Sequence, residues 1–271
     1  MRNKIYDCFI YYDEDILLDL RFNILSRVVD FFVICESKYD FRGKPKKLNF
    51  NYNNFKQFKE KIIYLVVDKF PEKNDAWGNE DYQRNYIING LEKTSPDDLI
   101  ILSDVDEIPD PLKILDLEFE KYAIFLQNCF YYKLNLIDKS IGNTWEGSKA
   151  CRKRNLFSFK KLRNDVRAKN VNYPFWRFDK EKKIKIVKNG GWHFSYLMTA
   201  EKIRQKIKSF SHSEFDTEEF TNIKNINNAI ETKRDLFNRA HHKNSFEKIE
   251  LDSSFPEYIL RNSEKFKNWI L

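Results

Sequence analysis

Apolar and polar positions fall into blocks along the first hundred residues, and the period of the blocks changes. Residues 4–12 hold Ile5, Cys8, Phe9 and Ile10 in a short apolar run, which predicts a strand. Residues 14–29 place Leu17, Leu20, Ile24, Leu25 and Val28 at helical spacing, with Asp13 as the N-cap. Phe31-Phe32-Val33-Ile34-Cys35 predicts a second buried strand ending at Glu36-Ser37. Strand, helix and strand at this spacing make a βαβ unit. Residues 41–50, with Gly43 and Pro45, read as a loop, 55–61 as a short helix and 62–67 as a third strand. Residues 68–79 are polar and irregular. Residues 80–93 predict a helix with Tyr82, Tyr86, Ile87 and Leu91 on one side, and 99–102 a fourth buried strand. Three such alternations before residue 110 imply a mostly parallel sheet with helices on both faces.

The second half has a different texture. Residues 122–136 are rich in aromatic and β-branched side chains, which predicts longer, antiparallel strands. Trp145-Glu146-Gly147-Ser148 reads as a break in that pattern. Residues 155–166 predict a helix, and 173–177 with 183–187 a two-stranded ribbon. Asn189-Gly190-Gly191 is a turn signal, followed by a strand-like run over 192–197. Thr199 caps a helix striped by Ile203, Ile207 and Phe210, and 222–239 predict another. Repeats and low-complexity linkers are absent, so one domain over 1–271 is expected.

The chemistry concentrates where the fourth strand stops. Ile100-Ile101-Leu102-Ser103-Asp104-Val105-Asp106-Glu107-Ile108-Pro109 runs from buried strand into three carboxylates within four residues. Strand ends are where α/β proteins place ligands. Two aspartates so close repel each other, and an oxygen-loving divalent cation relieves that. The alternative is a solvated acidic turn. His193 follows Gly190-Gly191, which permits close backbone approach. Beside Asp106 it would suit Mn²⁺ as well as Mg²⁺; otherwise it is a hydrogen-bonded core histidine. Trp77-Gly78-Asn79-Glu80 precedes Arg84. Arg84 either pairs with Glu80 on the surface or, with the helix N-terminus, faces a phosphate.

Composition narrows the class. Hydrophobic residues make up 42% and aromatics 16%, which excludes a disordered chain. The net charge of +7 admits nucleic acid, an anionic membrane surface or a phosphate-bearing substrate. The 48 Lys and Arg read as spread rather than blocked, and there is no RNA-binding module, so nucleic acid is not expected. A Gly-x-Gly-x-x-Gly and a Walker Gly-Lys-Ser are absent, which argues against dinucleotide and P-loop sites. Four dispersed cysteines, each in or beside an apolar run, suit buried free thiols in a reducing compartment. No signal peptide or integral membrane segment is read, so the expectation is a cytoplasmic protein whose charge permits peripheral membrane contact.

The ordered blocks resemble glycosyltransferase family 17. They are Leu17-Leu18-Asp19-Leu20-Arg21-Phe22, Val28-Val29-Asp30 with Phe32-Val33-Ile34-Cys35-Glu36-Ser37, and Gly43-Lys44-Pro45. Trp77 with Tyr82 and Arg84, the Ser103–Pro109 tip, Gly191-Trp192-His193-Phe194-Ser195 and Pro256-Glu257-Tyr258-Ile259-Leu260 complete the set. The resemblance implies a GT-A-type nucleotide-sugar-binding α/β fold. About 1–110 would hold the nucleotide and about 111–271 the acceptor. It implies a UDP-sugar donor, with UDP-N-acetylglucosamine favoured, a glycan or glycolipid acceptor, Mn²⁺ or Mg²⁺, and inversion at the anomeric carbon. On it, Asp104, Asp106 and His193 make the metal site, with Asp104 nearer the ribose or a metal-bound water, Glu36 touches uracil or ribose, and Arg84 and Trp77 complete the donor-binding residues. An inverting transfer needs a general base. Order in the chain suggests Asp165, then Glu146, then Glu214. Family members from animals carry a membrane anchor and a lumenal stem, whereas this sequence starts at its first strand, which points to a microbial or viral surface glycan. Two other classes stay open: a metal-dependent nucleotide-sugar phosphohydrolase using the same acidic tip, and a non-catalytic binder of anionic glycans or nucleic acid.

Overall fold

A computed structural model describes residues 2–142, 144–242 and 245–271. In chain order the strands and α-helices are β1 (Ile5–Ile10), α1 (Asp15–Leu25), β2 (Phe31–Ser37), β3 (Ile62–Val67), α2 (Ala76–Tyr86), β4 (Leu99–Asp104), β5 (Glu107–Pro109), α3 (Pro111–Leu115), β6 (Tyr122–Tyr131), β7 (Leu136–Asp138), β8 (Trp145–Arg152), α4 (Phe159–Asn164), β9 (Ile184–Val187), β10 (Gly191–Ser195), α5 (Ala200–Ser209), α6 (Glu218–Thr221), α7 (Ile223–Glu231), β11 (Phe246–Lys248) and α8 (Glu257–Arg261). The sheet runs β11-β7-β6-β8-β4-β1-β2-β3, with β10 and β9 also paired to β6, and β5 paired to β10. Strands β4, β1, β2 and β3 are mutually parallel, while β8 is antiparallel to both β4 and β6. The expected α/β architecture, a mixed central sheet flanked by helices, is what these pairings build.

Period-2 alternation sets the two cores. In β1, Phe9 joins the α1 and α8 side with Leu17, Leu20 and Ile259, whereas Tyr6 and Cys8 face Ile87, Phe159 and Leu162 on the other. A third cluster packs α5 and α7 against the end of β6, through Ile203, Ile207, Ile226 and Tyr131. All four cysteines are free and buried. Among the described residues no helix is long and apolar enough to cross a membrane.

Several elements differ from expectation. The stretch read as a break at 145–148 begins β8. Gly147 sits there because a side chain at that position would collide with Gln127 of β6, so the glycine marks close strand approach and not a turn. The ribbon does not form: 173–177 are outside any strand, and β9 pairs in parallel with β6. α2 starts earlier than residue 80, because the Asp75 carboxylate accepts the Gly78 N–H as an N-cap. Asp13 does not cap α1: Glu14 takes that position, and its carboxylate accepts the N–H groups of Tyr12 and Asp13. The helix expected over 222–239 ends at Glu231.

Candidate active site

The acidic tip is a turn between β4 and β5 at the carboxyl end of the parallel strands. A buried arginine beneath it fixes its shape. Arg21 of α1 pairs with Asp7 of β1 through Nε at 2.6 Å and Nη2 at 2.5 Å, and neither side chain is exposed. Its Nη1 donates to the carbonyl of Glu107 at 2.7 Å and those of Asp104 and Val105 at 3.2 and 3.3 Å. The Glu107 carboxylate closes the turn from the other side, accepting the Asp104 N–H at 2.9 Å.

Strand pairing then delivers His193. β10 runs antiparallel to β5, with His193 opposite Glu107, and Phe194 donates its N–H to the Asp106 carbonyl at 2.9 Å. That register sets His193 Nε2 3.6 Å from Asp106 Oδ1. Nδ1 lies 3.4 Å from the Cys129 sulfur, and the ring stacks on Trp145 at 4.5 Å. Trp145 in turn donates its indole N–H to Glu107 at 2.9 Å. Gly191 makes the close approach of β10 to β5 feasible. Its φ is +138°, and a Cβ there would strike the Ile108 carbonyl oxygen.

Cations crowd the two aspartates. Arg84 of α2 and Arg163 of α4 donate to opposite oxygens of Asp104, at 3.2 and 2.6 Å. Arg163 also spans both oxygens of Glu107. Lys206 of α5 stands 3.7 Å from both Asp106 Oδ2 and Glu14 Oε1. Burial opposes ionisation of Asp104, but Arg163 and Arg84 outweigh it and hold the carboxyl below its usual range. For Asp106 burial is likewise overcome, by His193 and then Lys206. Burial would neutralise His193, yet the Cys129 sulfur and Asp106 raise its pKa well above the ordinary imidazole value. The pKa of the buried Glu14 is raised by desolvation, against the pull of Lys206.

The two aspartates, Glu14, Glu80 and Gln83 share a cleft with Tyr11, Tyr12, Tyr39 and Phe41, and Lys206 and Ser209 of α5, with Phe210 just after it, close it. Its free volume is about 100 Å³. Small-molecule sites usually offer roughly 300 Å³ or more.

Of the residues singled out in the sequence, Asp104, Asp106, His193 and Arg84 are brought together. They do not form a three-ligand cage: among the described residues no group of three or more His, Cys, Asp or Glu side chains is arranged to hold a metal ion. Asp104 is turned to its two arginines instead. Arg84 is buried rather than on the surface, and it bonds Glu80 at 2.7 Å as well as Asp104. The structure does not bring Glu36 to the cleft. It is buried behind the wall, where Lys46 Nζ, the N–H groups of Asn49 and Phe50, and the Tyr64 hydroxyl consume its oxygens. Trp77 is half exposed and meets His212 edge-on.

None of the expected bases faces the cleft. Asp165, at the end of α4, opens on a separate cavity. Glu146 follows Trp145 in β8 and so points to the other sheet face, bonded by Arg167 at 2.9 Å. Glu214 is exposed and paired with His212. Lys206, Arg163, Glu14 and Trp145 escaped the sequence reading. Only for Lys206 was a signal available, a lysine next to Ile207 on the apolar stripe of α5.

A family model described as glycosyltransferase family 17 matches residues 1–127, which include Arg21 and the whole acidic tip. That match spans 127 of the chain's 271 residues. Similar proteins are named β-1,4-mannosyl-glycoprotein 4-β-N-acetylglucosaminyltransferase. The Homo sapiens protein is 35% identical over 130 residues, covering 42% of this chain and 24% of its own length. The Mus musculus protein is 26% identical over 93% of this chain and 51% of its own. The chain therefore spans about half the length of these relatives, or less. Among solved structures, glucosyl-3-phosphoglycerate synthase from Mycobacterium tuberculosis, with Mn²⁺, uridine diphosphate and phosphoglyceric acid, has a TM-score of 0.36 and 12% identity, covering 71% of this chain and 69% of that one. This is a remote likeness of shape alone.

Proposed function

We propose that this chain is an inverting glycosyltransferase. It moves N-acetylglucosamine from UDP-N-acetylglucosamine to a hydroxyl of a glycan or glycolipid acceptor, with Mn²⁺ or Mg²⁺ as cofactor. The observation that carries the reading is the Asp104-Val105-Asp106 turn, which lies in the segment matched to the family and is walled by aromatic rings and cations. On this reading about 1–110 bind the nucleotide and about 111–271 the acceptor.

The donor set fits a cation in part. Asp106 and His193 face each other closely enough to share one ion. Mg²⁺-like ions are commonly bound by one or two protein groups, with phosphate oxygens and waters filling the remaining positions. Bound there, the ion would offset the charge that develops on the leaving diphosphate. Asp104 orients rather than ligates, because both its oxygens accept guanidinium hydrogen bonds. Arg84 and Arg163 then supply fixed positive charge beside the diphosphate. Tyr11, Tyr12, Tyr39 and Phe41 offer apolar walls for the uracil. The acceptor oxygen gives its proton to a base as it bonds the anomeric carbon and the sugar–phosphate bond breaks. Glu14 is the base this geometry favours, since it faces the cleft and desolvation raises its pKa. A 100 Å³ cleft requires Lys206 of α5 and Phe210 just after it to move aside for the donor.

A second reading rests on Lys206. Its ammonium stands beside Asp106, where it would provide the diphosphate's counter-charge without a metal. Release of UDP and of UMP, with and without acceptor, in Mn²⁺ and in EDTA, separates the readings. Transfer requires acceptor and fails in EDTA, and Asp106→Ala lowers turnover roughly 10²-fold or more. Full-rate release of UMP and sugar 1-phosphate without acceptor identifies a phosphohydrolase, and undiminished transfer in EDTA selects Lys206 over a metal.

A further inference from the structure

We propose that the surface formed by residues 157–183 docks on an anionic lipid bilayer. The inference is independent of the sugar-transfer reading. It starts from a segregation of charge. Residues 152–188 carry fourteen Lys and Arg against three carboxylates, so the rest of the chain is net negative and the whole positive excess resides in this segment. The even spread read from the sequence therefore does not hold once the chain is divided.

The same segment displays apolar rings. Phe157, Phe175, Trp176 and Phe178 are 82, 79, 61 and 89% exposed. Exposed rings clustered among lysines mark an interaction surface, and Phe and Trp beside Lys and Arg are the composition that settles at a headgroup boundary. The fold brings both halves of the segment together. Phe178, Lys180 and Lys182 from its end line one cavity of about 840 Å³ with Lys161, Arg167 and Lys169 from its start. The Lys161 ammonium stands 4.9 Å from the Phe157 ring centre. Among the described residues no carboxylate lies within 4 Å of Lys161 or Lys169, so their charge is available to an external anion.

Lipid is favoured over nucleic acid by the way the rings stand. Phe175 and Trp176 meet edge-on, 80° apart at 5.2 Å, and shield each other's faces instead of offering successive parallel platforms to bases. The surface is also tied to the cleft. Lys149 Nζ donates to the carbonyls of Arg163 and Val166 at the end of α4, and Arg163 holds Asp104 and Glu107. Docking at 157–183 therefore sets the orientation of the acidic turn relative to the bilayer.

The test is co-sedimentation of the full chain with vesicles of phosphatidylcholine alone or with 30% phosphatidylglycerol, alongside binding to a single-stranded RNA oligonucleotide at equal salt. Tryptophan emission is recorded in parallel. Binding is expected only to the anionic vesicles, with release at high salt. Lys161→Gln/Lys169→Gln should weaken it roughly fivefold per charge. Phe157→Ser/Phe178→Ser should weaken it about tenfold or more. A blue shift in emission that disappears in Trp176→Phe would place that ring in the headgroup layer. Circular dichroism confirms that the variants fold. Failure to bind anionic vesicles, equal binding to neutral ones, binding without a Trp176-dependent shift, or tighter binding to RNA than to vesicles overturns the proposal.

Discussion

Replacing Arg21 by Met probes the part of the fold on which the acidic turn rests. The change removes a guanidinium bonded twice to Asp7, with neither partner exposed, and leaves a carboxylate in the core. Breaking a buried pair from one side costs about 3–5 kcal/mol. The Glu107 carbonyl also loses its 2.7 Å donor, an overlapping loss of about 1–3 kcal/mol. A net loss near 4 kcal/mol lowers Tm by roughly 8–16 °C at about 2–4 °C per kcal/mol. Urea unfolding followed by far-ultraviolet circular dichroism measures it. The double variant Asp7→Leu/Arg21→Met fills the same space with apolar groups and should recover most of the stability. It should not recover donor binding, because the turn carbonyls stay without their donor. A loss under about 1 kcal/mol in Arg21→Met, or a double variant no more stable than the single, would refute the claim that this pair anchors the turn.

Other perturbations follow from the same geometry. Gly191→Ala forces a side chain against the Ile108 carbonyl at φ +138° and should cost roughly 2 kcal/mol or more in urea unfolding, while loosening the strand that carries His193. Burial, reinforced by Arg163, pushes the Lys149 ammonium down from 10.5 to about 7. Between these values the unfolded chain binds the extra proton, so Lys149 makes stability rise as pH goes from about 7 to about 10.5. Lys149→Met should flatten that rise in urea midpoints taken across the range. Glu14→Gln should lower transfer at saturating donor more than it lowers donor affinity, read as a fall in kcat with little change in KM.

The first hundred residues were legible because each strand and helix there carries its own pattern. Continuous apolar runs at Phe31–Cys35 and Leu99–Leu102 are what strands buried on both faces require, and their polar ends became the strand tips. The acidic turn was visible for the same reason. What stayed hidden was set by distant contacts. Gly147 looks like a turn residue and is instead the gap that admits Gln127 from the neighbouring strand. Arg163 sits in a short, basic helix with nothing local to separate it from solvated lysines and arginines, and Lys206 is marked only by its place beside Ile207; the packing of α4 and α5 over the turn gives both their partners. Order in the chain points to Asp165 but carries no information about which cavity a helix end opens on. Glu36 was rightly placed at a strand tip, but the four groups that bond it arrive from residues 46–64.

Thermal shift of the intact chain with UDP-N-acetylglucosamine, Mn²⁺, or both, beside the same series on Asp106→Ala, bears most directly on the proposed site. A rise in Tm that needs nucleotide sugar and metal together, and that vanishes in Asp106→Ala although the variant folds, is the predicted result. A rise of equal size in Asp106→Ala, or no response of the native chain to any UDP-sugar with metal present, would contradict it.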